Sequence, residues 1–222
     1  QRHPGREPEL LRSLAAQADA LIGFLAQPDG EIIAAVGQTP LVVLNRNNPN
    51  PAFGVVNIDA PEGIRAAVRH LHERGHRRIG MIDCTAGDDP TRRAAFLAGA
   101  AEAGLTTAIV DADGSMASGG TGLAALHAAD PGVTAVFCWN DTLALGAHKA
   151  ARARGLSIPG DLAIVGFDGL SLGELVDPPL TTVHLDKRRM GELAVAQVER
   201  LLTGTDPDPA LVGTELLVRG ST

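Results

Sequence analysis

The sequence predicts an α/β fold in which parallel strands alternate with helices along the whole chain. Two observations support this prediction. Short apolar runs without polar alternation recur along the sequence, as expected for parallel strands that are covered on both faces. Segments of helical length separate most of these runs, so strand–helix–strand connections are expected. Such connections build a doubly wound parallel sheet with right-handed crossovers.

The runs predicted as strands are short and largely apolar. In chain order they are Ala20–Leu25, Leu41–Leu44, Val55–Ile58, Arg78–Asp83, Thr107–Val110, Val133–Cys138, Leu162–Phe167 and Thr181–His184. The segments predicted as helices lie between most of them. In chain order they are Glu7–Ala18, Pro61–Arg74, Thr91–Ala103, Gly119–Ala129, Thr142–Arg154 and Lys187–Leu202.

Residues at the helix ends agree with these boundaries. Asp59 stands two residues before Pro61, as an N-cap does when proline occupies the first turn. Gly75, Gly104 and Gly155 each follow a predicted helix. Glycine is favoured there because the residue that ends a helix often needs a positive φ.

Composition and charge exclude several classes of function. The net charge is −7 and the basic residues are scattered, so the chain itself is not expected to bind a nucleic-acid backbone. No apolar run approaches the roughly 18 residues of a membrane span. The N-terminal residues do not have the pattern of a signal peptide. We therefore expect a cytoplasmic protein without membrane contact.

Residues that often carry chemistry do not form a catalytic or metal-binding pattern here. Cys84 and Cys138 are predicted to be reduced thiols, because two cysteines in 222 residues do not make a disulfide framework. The histidines between residues 70 and 76 are poorly placed on a helix to share a metal. Gly119–Gly122 lacks the lysine and spacing of a phosphate loop and is expected to ease a helix start. No enzyme activity, cofactor or metal is predicted.

Polar residues directly follow two of the predicted strands, at the sheet edge where ligands bind in open α/β folds. Asp168 ends an apolar strand, and its carboxylate can accept hydrogen bonds from a ligand, with a turn or capping role as the alternative. Asn140 offers donors and an acceptor, which suits hydroxyl groups. Asp141 is a second ligand candidate, although it is also placed to cap the helix that begins at Thr142.

One segment carries a family resemblance. The stretch Val165–Val183, VGFDGLSLGELVDPPLTTV, together with Gly191 and the ending Glu215–Thr222, ELLVRGST, resembles the effector-binding domain of LacI/GalR-family transcription regulators. The resemblance extends from Glu7 to Thr222. It implies a two-lobed, periplasmic-binding-protein-like fold in which each lobe is a parallel sheet flanked by helices.

The resemblance also implies where the lobes divide. The chain of such proteins crosses between lobes three times, and the crossings map near Asp59, near Leu185 and near Thr205–Pro209. Residues 1–59 then form the N-terminal lobe, completed by about 185–205. Residues 60–184 form the C-terminal lobe, completed by about 206–222.

Part of the family architecture has no counterpart in this sequence. The helix-turn-helix and the first strand, helix and second strand are not present, and Gln1–Leu14 aligns with the helix that follows them. Loss of a central strand leaves backbone groups unpaired and part of a core uncovered. The N-terminal lobe is therefore expected to be incomplete.

Further ligand candidates follow from the resemblance. Arg92 aligns, through Phe96, with a family arginine that begins a helix and faces the effector; the alternative is a solvated arginine beside Asp88–Asp89. A guanidinium can hold two oxygens at once. Asn45 ends a strand of the other lobe, where an Asx turn is the alternative.

Aromatic positions add two candidates and one departure from the family. Phe24 ends the first predicted strand and lines the cleft or packs in the core. Trp139 could stack on a sugar, but strand alternation places it opposite Asn140, which favours packing. Many relatives have an aromatic near the position of Gly114. Here we expect either a more open pocket or a polar contact from Asp113.

The resemblance implies the ligand-sensing domain of a transcription regulator. A small polar effector, a sugar or a related metabolite, would bind between the lobes and change their closure. Asp168, Asn140 and Arg92 would hold it from one lobe and Asn45 from the other. Operator DNA would be bound only through the helix-turn-helix absent here, in a homodimer. The alternative is a periplasmic-type sugar-binding protein of a transporter, which shares the fold.

Overall fold

A computed structural model describes residues 6–46, 50–84 and 90–222. The part of Gln1–Leu14 before residue 6 lies outside these ranges, as does Asp88–Asp89. The helices are α1 (Glu7–Ala15), α2 (Asp29–Val36), α3 (Ala60–Glu73), α4 (Thr91–Glu102), α5 (Met116–Ala129), α6 (Asp141–Ala153) and α7 (Lys187–Leu202). The strands are β1 (Leu21–Gly23), β2 (Leu41–Leu44), β3 (Gly54–Ile58), β4 (Arg78–Cys84), β5 (Thr106–Ala112), β6 (Ala135–Cys138), β7 (Ala163–Asp168), β8 (Thr181–Leu185), β9 (Ala210–Val212) and β10 (Thr214–Leu217). A short 3-10 helix, Ser171–Glu174, follows β7.

The chain folds into two compact units. The first unit contains the residues up to Ile58 together with Asp186–Val212. Its parallel sheet has the strand order β1-β2-β3-β9. Its core contains Leu11, Ile32 and Phe53, all of which are buried.

The second unit contains Asp59–Leu185 and Gly213–Thr222. Its sheet has the order β10-β8-β7-β6-β4-β5, and only β10 runs antiparallel, along β8. The Ser221 hydroxyl, completely buried, donates to the Ile164 carbonyl at 2.6 Å. Residues far along the chain therefore complete this unit. Parallel sheets flanked by helices confirm the predicted α/β fold.

The predicted helix ends are also confirmed. The Asp59 carboxylate accepts a hydrogen bond from the Glu62 amide at 3.3 Å and caps α3. Gly75, Gly104 and Gly155 have φ values of 95°, 66° and 77°. Each therefore occupies the left-handed region in which an added side chain is strained.

The expectation for Gly119–Gly122 was wrong. Helix α5 begins at Met116, where Ser115 accepts a hydrogen bond from the Ser118 amide at 3.2 Å. Gly119 therefore lies inside the helix. A Cβ on Gly119 would stand 2.1 Å from the Leu143 carbonyl oxygen of α6. Glycine is needed here because the backbones of α5 and α6 touch.

Several elements were not predicted. Helix α2 and strands β9 and β10 are short, and no strong periodicity marks them. Strand β9 pairs with β3 through Ala210 opposite Val56. The chain consequently enters the second unit after Val212, whereas the sequence placed the third crossing near Thr205–Pro209.

Candidate functional site

Three ligand candidates meet at the carboxyl edge of the sheet in the second unit. Strands β4, β6 and β7 are neighbours, so the residues that follow them lie side by side. The Arg92 guanidinium, at the start of α4, donates a hydrogen bond to the Trp139 carbonyl oxygen beside Asn140. A second Arg92 nitrogen lies 3.8 Å from an Asp168 carboxylate oxygen. Arg92, Asn140 and Asp168 thus form one cluster.

The Arg92 guanidinium is enclosed by aromatic rings. Its central carbon lies 3.8 Å from the centre of the Phe167 ring and 4.2 Å from the centre of the Trp139 ring. Arg92 is only 4% exposed, so the alternative of a solvated surface arginine is wrong. Cation–π contacts and burial hold the guanidinium plane in one orientation. An arginine fixed in this way can present its edge, but not its faces, to a ligand.

Asp168 has an unusual backbone conformation for a residue with a side chain. Its φ is 113°, and its side chain is 29% exposed. The 3.8 Å separation from Arg92 exceeds hydrogen-bond range, so the pair is held by charge attraction. A hydroxyl group of a ligand can accept from a guanidinium while donating to a carboxylate. The pair therefore offers a hydrogen-bond donor and an acceptor side by side.

The predicted cap on α6 was assigned to the wrong residue. Asn140 caps α6, because its side-chain oxygen accepts from the Leu143 amide at 2.7 Å. The amide nitrogen of the same side chain donates to the Gly114 carbonyl at 3.4 Å. Asp141 is the first residue of the helix and is completely buried. Its enclosed carboxylate orders the loop after β7 and offers no surface to a ligand.

Trp139 packs against Arg92 and against the core of the second unit. It is half-buried, and one face of its ring covers the Arg92 guanidinium. Its indole Nε1 is buried and has no hydrogen-bond partner among the described residues. The Trp139 ring therefore restricts the orientation of the Arg92 guanidinium.

A charged network beside the cluster was not predicted. Arg93 donates through Nε to the Asp83 carboxylate at 2.5 Å and also bonds Asp111. Its hydrogen bond with Asp83 raises the pKa of Arg93. The three residues come from α4, β4 and β5, so the network fixes the start of α4 and hence Arg92. No local sequence pattern connects residues from three separate elements.

The loop after β5 lies against the same edge. Gly114 has a φ of 85°, and a Cβ there would stand 3.1 Å from the Cys84 sulfur and 3.8 Å from the Asn140 amide nitrogen. Cys84 therefore lies near Asn140, which the sequence did not indicate. Hydrogen bonds from Ser115 and Ser118 lower the pKa of exposed Asp113 to about 2. Asp113 is ionised at any physiological pH.

The candidates of the first unit lie at the ends of β1 and β2. Asn45 follows β2 with a φ of 55°, which asparagine tolerates better than most residues. Its neighbour Arg46 donates to the carbonyls of Leu25 and Gln27 at 3.3 and 2.9 Å, so the loop after β1 is tied to the end of β2. Phe24, the residue after β1, is 51% exposed.

Within residues 6–46, 50–84 and 90–222, no group of three or more His, Cys, Asp or Glu side chains could hold a metal ion. In the same ranges, no helix is long and apolar enough to cross a membrane. Cys84 and Cys138 are both buried and unbridged, and burial raises the pKa of Cys138.

Comparison with known proteins defines the class of this domain. Residues 68–222 match the family described as a periplasmic binding protein-like domain. The structure resembles a LacI family transcriptional regulator from Mycobacterium smegmatis with a TM-score of 0.87 and 31% identity, covering 99% of this chain and 84% of that one. It resembles the lactose complex of a LacI family regulator from Arthrobacter sp. FB24 with a TM-score of 0.87 and 29% identity, covering 96% of this chain and 82% of that one.

Full-length sequences give the particular family. The chain is 37% identical over 200 residues to an uncharacterized HTH-type transcriptional regulator of Streptomyces limosus, covering 82% of this chain and 54% of the relative. It is 31% identical over 212 residues to the HTH-type transcriptional repressor CytR of Escherichia coli K12, covering 91% and 61%. The chain belongs to the LacI family of transcriptional regulators and corresponds to their ligand-binding domain. It spans about half to three fifths of the length of these curated relatives.

The relatives also bear on the rival functions. They are transcriptional regulators rather than enzymes or transport proteins. The periplasmic-type sugar-binding alternative is therefore not favoured.

Proposed function

We propose that this chain is the effector-sensing part of a LacI-type regulator and that its effector is an uncharged polar molecule, a sugar in the first instance. The observation that carries the proposal is the cluster of Arg92, Asn140 and Asp168 at one sheet edge. Solved relatives support the sugar class, since one was determined with lactose and another, CelR, with cellobiose.

The charges at this edge favour an uncharged effector. Arg92 is already close to the Asp168 carboxylate, and Arg93 is bonded to both Asp83 and Asp111. Asp113 adds a further negative charge. A phosphorylated or acidic effector would therefore meet net negative charge, whereas hydroxyl groups can bond both signs of charge.

Closure of the two units is the proposed response. Asn45 and Phe24 would complete the site from the first unit when the effector is bound. An effector shifts the equilibrium between open and closed forms only by the difference between its affinities for them. In the full-length protein, that shift would alter operator binding through a helix-turn-helix outside this chain.

A homodimer is part of the proposal. The 3-10 helix after β7 leaves Leu172 and Leu175 54% and 81% exposed, and Val218 beyond β10 is 55% exposed. Arg219, next to Val218, donates to Glu174 of the 3-10 helix at 2.8 Å, so these apolar side chains lie near one another. A contiguous exposed apolar patch is typical of a surface that another protein covers. A second copy of the same chain would cover it symmetrically.

A thermal-shift screen tests the proposal directly. The panel would contain lactose, cellobiose, monosaccharides, polyols and nucleosides. Where a phosphorylated form of a compound exists, that form would be tested as well. A compound at 100 times its dissociation constant stabilises the folded chain by about 2.7 kcal/mol. We expect shifts from uncharged compounds and weaker or no shifts from their phosphates. A stronger response to a phosphorylated member would contradict the charge argument.

Variants then locate the site. Asp168→Ala should weaken binding of the compound identified by about 1–3 kcal/mol, because a hydrogen bond to a charged group is lost. Asp206→Ala, at an exposed carboxylate of the first unit, is the matched control and should bind normally. Normal binding by Asp168→Ala would show that the site lies elsewhere.

A further inference from the structure

The turn that carries Asp168 is conformationally demanding. Asp168 and Gly169 are consecutive residues with positive φ, at 113° and 65°. A residue with a side chain remains in this region only where its surroundings hold it. Interactions with neighbouring elements must therefore hold this turn in place.

Two buried side chains hold the turn through hydrogen bonds. One carboxylate oxygen of Asp141 accepts the Leu170 amide at 2.6 Å, and the other accepts the Thr182 hydroxyl at 2.6 Å. The Thr182 oxygen in turn accepts the Gly169 amide at 3.3 Å. Asp141 and Thr182 are each completely buried. The turn is thus bonded from α6 and from β8 at the same time.

Glycines make room for this arrangement. A Cβ on Gly166 would stand 2.1 Å from an Asp141 carboxylate oxygen, so a side chain in β7 would expel the carboxylate. A Cβ on Gly169 would stand 2.3 Å from His184 Nδ1, so the turn packs directly on the histidine ring. The glycines on either side of Asp168 therefore leave space for the Asp141 carboxylate and for the His184 ring.

We propose that Asp141 and Thr182 are positioning residues of the effector site, which set effector affinity by holding Asp168 and do not contact the effector themselves. This inference rests on the proposed function, because it takes Asp168 as an effector contact. A buried, charge-assisted hydrogen bond is strong enough to hold a turn in a conformation that it would otherwise leave. Loss of the Thr182 hydroxyl would remove two hydrogen bonds at once. One is the bond that it donates to the Asp141 carboxylate, and the other is the bond that it accepts from the Gly169 amide.

Three threonine variants separate positioning from simple stability. Thr182→Val removes the hydroxyl at nearly constant volume, and Thr182→Ser keeps it. Thr181→Val is the matched control, since Thr181 is the preceding residue, is equally buried, and its hydroxyl bonds Thr222 and the Arg219 amide instead. Amide exchange and amide chemical shifts, measured by NMR, report on the turn without any ligand. Urea unfolding reports global stability.

We expect Thr182→Val to speed exchange of the Gly169 and Leu170 amides by roughly tenfold or more and to move the Asp168 signal. Thr182→Ser should restore both. Thr181→Val should lower the urea midpoint as Thr182→Val does and leave the turn unchanged. Identical exchange at Gly169 and Leu170 in the wild type and Thr182→Val would overturn the proposal, as would equal effects from Thr181→Val.

Binding completes the test, with lactose and cellobiose as the probes. Where the wild type binds either sugar, Thr182→Val should bind it roughly tenfold more weakly, while Thr181→Val binds normally. Unchanged affinity alongside a disturbed turn would overturn the link between the turn and the effector. Where the wild type binds neither disaccharide, the sugar found in the thermal-shift screen replaces them as the probe. If no sugar binds the wild type, the sugar assignment fails, while the exchange data still decide whether Asp141 and Thr182 hold the turn.

Discussion

The two units differ in how completely their sheets are covered. In the second unit, β4, β6 and β7 each have a partner on both sides, and side chains such as Phe137 and Ile164 are completely buried. In the first unit, β1 pairs only with β2 among the described residues. Ile22 is 46% exposed there and lines, with Leu10 and Phe24, an apolar groove of about 660 Å³.

The two units also differ in where the candidate ligand residues lie. In the second unit, Asn140 and Asp168 lie at strand ends and Arg92 lies at the start of α4. In the first unit, Leu10, Ile22 and Phe24 are all exposed along this apolar groove. The cluster of Arg92, Asn140 and Asp168 therefore lies in the unit whose described strands are the more completely paired.

The largest expected difference concerns matched phenylalanines. Phe137 is completely buried, its ring centre 6.0 Å from that of Phe96, so Phe137→Ala should destabilise the second unit by about 3–5 kcal/mol. Phe24→Ala, at a half-exposed side chain, should cost less than about 1 kcal/mol. Urea unfolding followed by circular dichroism measures both, and fluorescence of Trp139, the only tryptophan, reports the second unit alone. Similar costs would contradict the contrast.

Matched helix glycines should give effects of opposite sign. A Cβ on Gly146 in α6 would stand 1.9 Å from the Met116 carbonyl oxygen, so Gly146→Ala should destabilise by about 1–3 kcal/mol. A Cβ on Gly30 in α2 meets nothing within 4 Å. Gly30→Ala should therefore stabilise by about 0.5–1 kcal/mol through helix propensity. Thermal melts of the two variants test the signs, and stabilisation by Gly146→Ala would show that α5 and α6 are not in contact.

The smallest expected effect is that of pH, and it belongs to the second unit. Burial lowers the pKa of His70, His76, His127 and His148, all of which lie in that unit. Below about pH 6.5 the unfolded chain then binds protons more readily than the folded chain, so stability falls as pH falls. Urea midpoints from Trp139 fluorescence at about pH 7.5 and about pH 5.5 measure the loss. A higher midpoint at the lower pH would contradict the direction.

Prediction from the sequence succeeded where the signal is local. Apolar runs and caps such as Asp59 located most strands and helices of the second unit. Strand β9 was missed because its partner β3 lies far away in the sequence, and α2 because it is only eight residues long. Periodicity cannot reveal an element whose stability comes from a distant neighbour.

The candidate site shows the same division. The family resemblance selected Arg92, but the rings that enclose it belong to Phe167 of β7 and to Trp139, the residue after β6. Asp141 was mistaken for a helix cap, because a carboxylate before a helix usually caps it, and neighbouring Asn140 fills that role here. The network of Arg93 with Asp83 and Asp111 has no sequence signature at all.

The path of the chain between the units has a consequence for synthesis. Residues 213–222 complete the second unit, yet they are made after every residue of the first unit that the structure describes. A nascent chain that has reached Val212 lacks β10 and the buried Ser221, so β8 waits without its antiparallel neighbour. Domains generally mature as they emerge from the ribosome, the N-terminal one first. The second unit can instead begin to fold early but can complete its sheet only after residue 213 has been synthesised. A pause in translation before that residue therefore leaves the edge of β8 exposed to incorrect strand pairing.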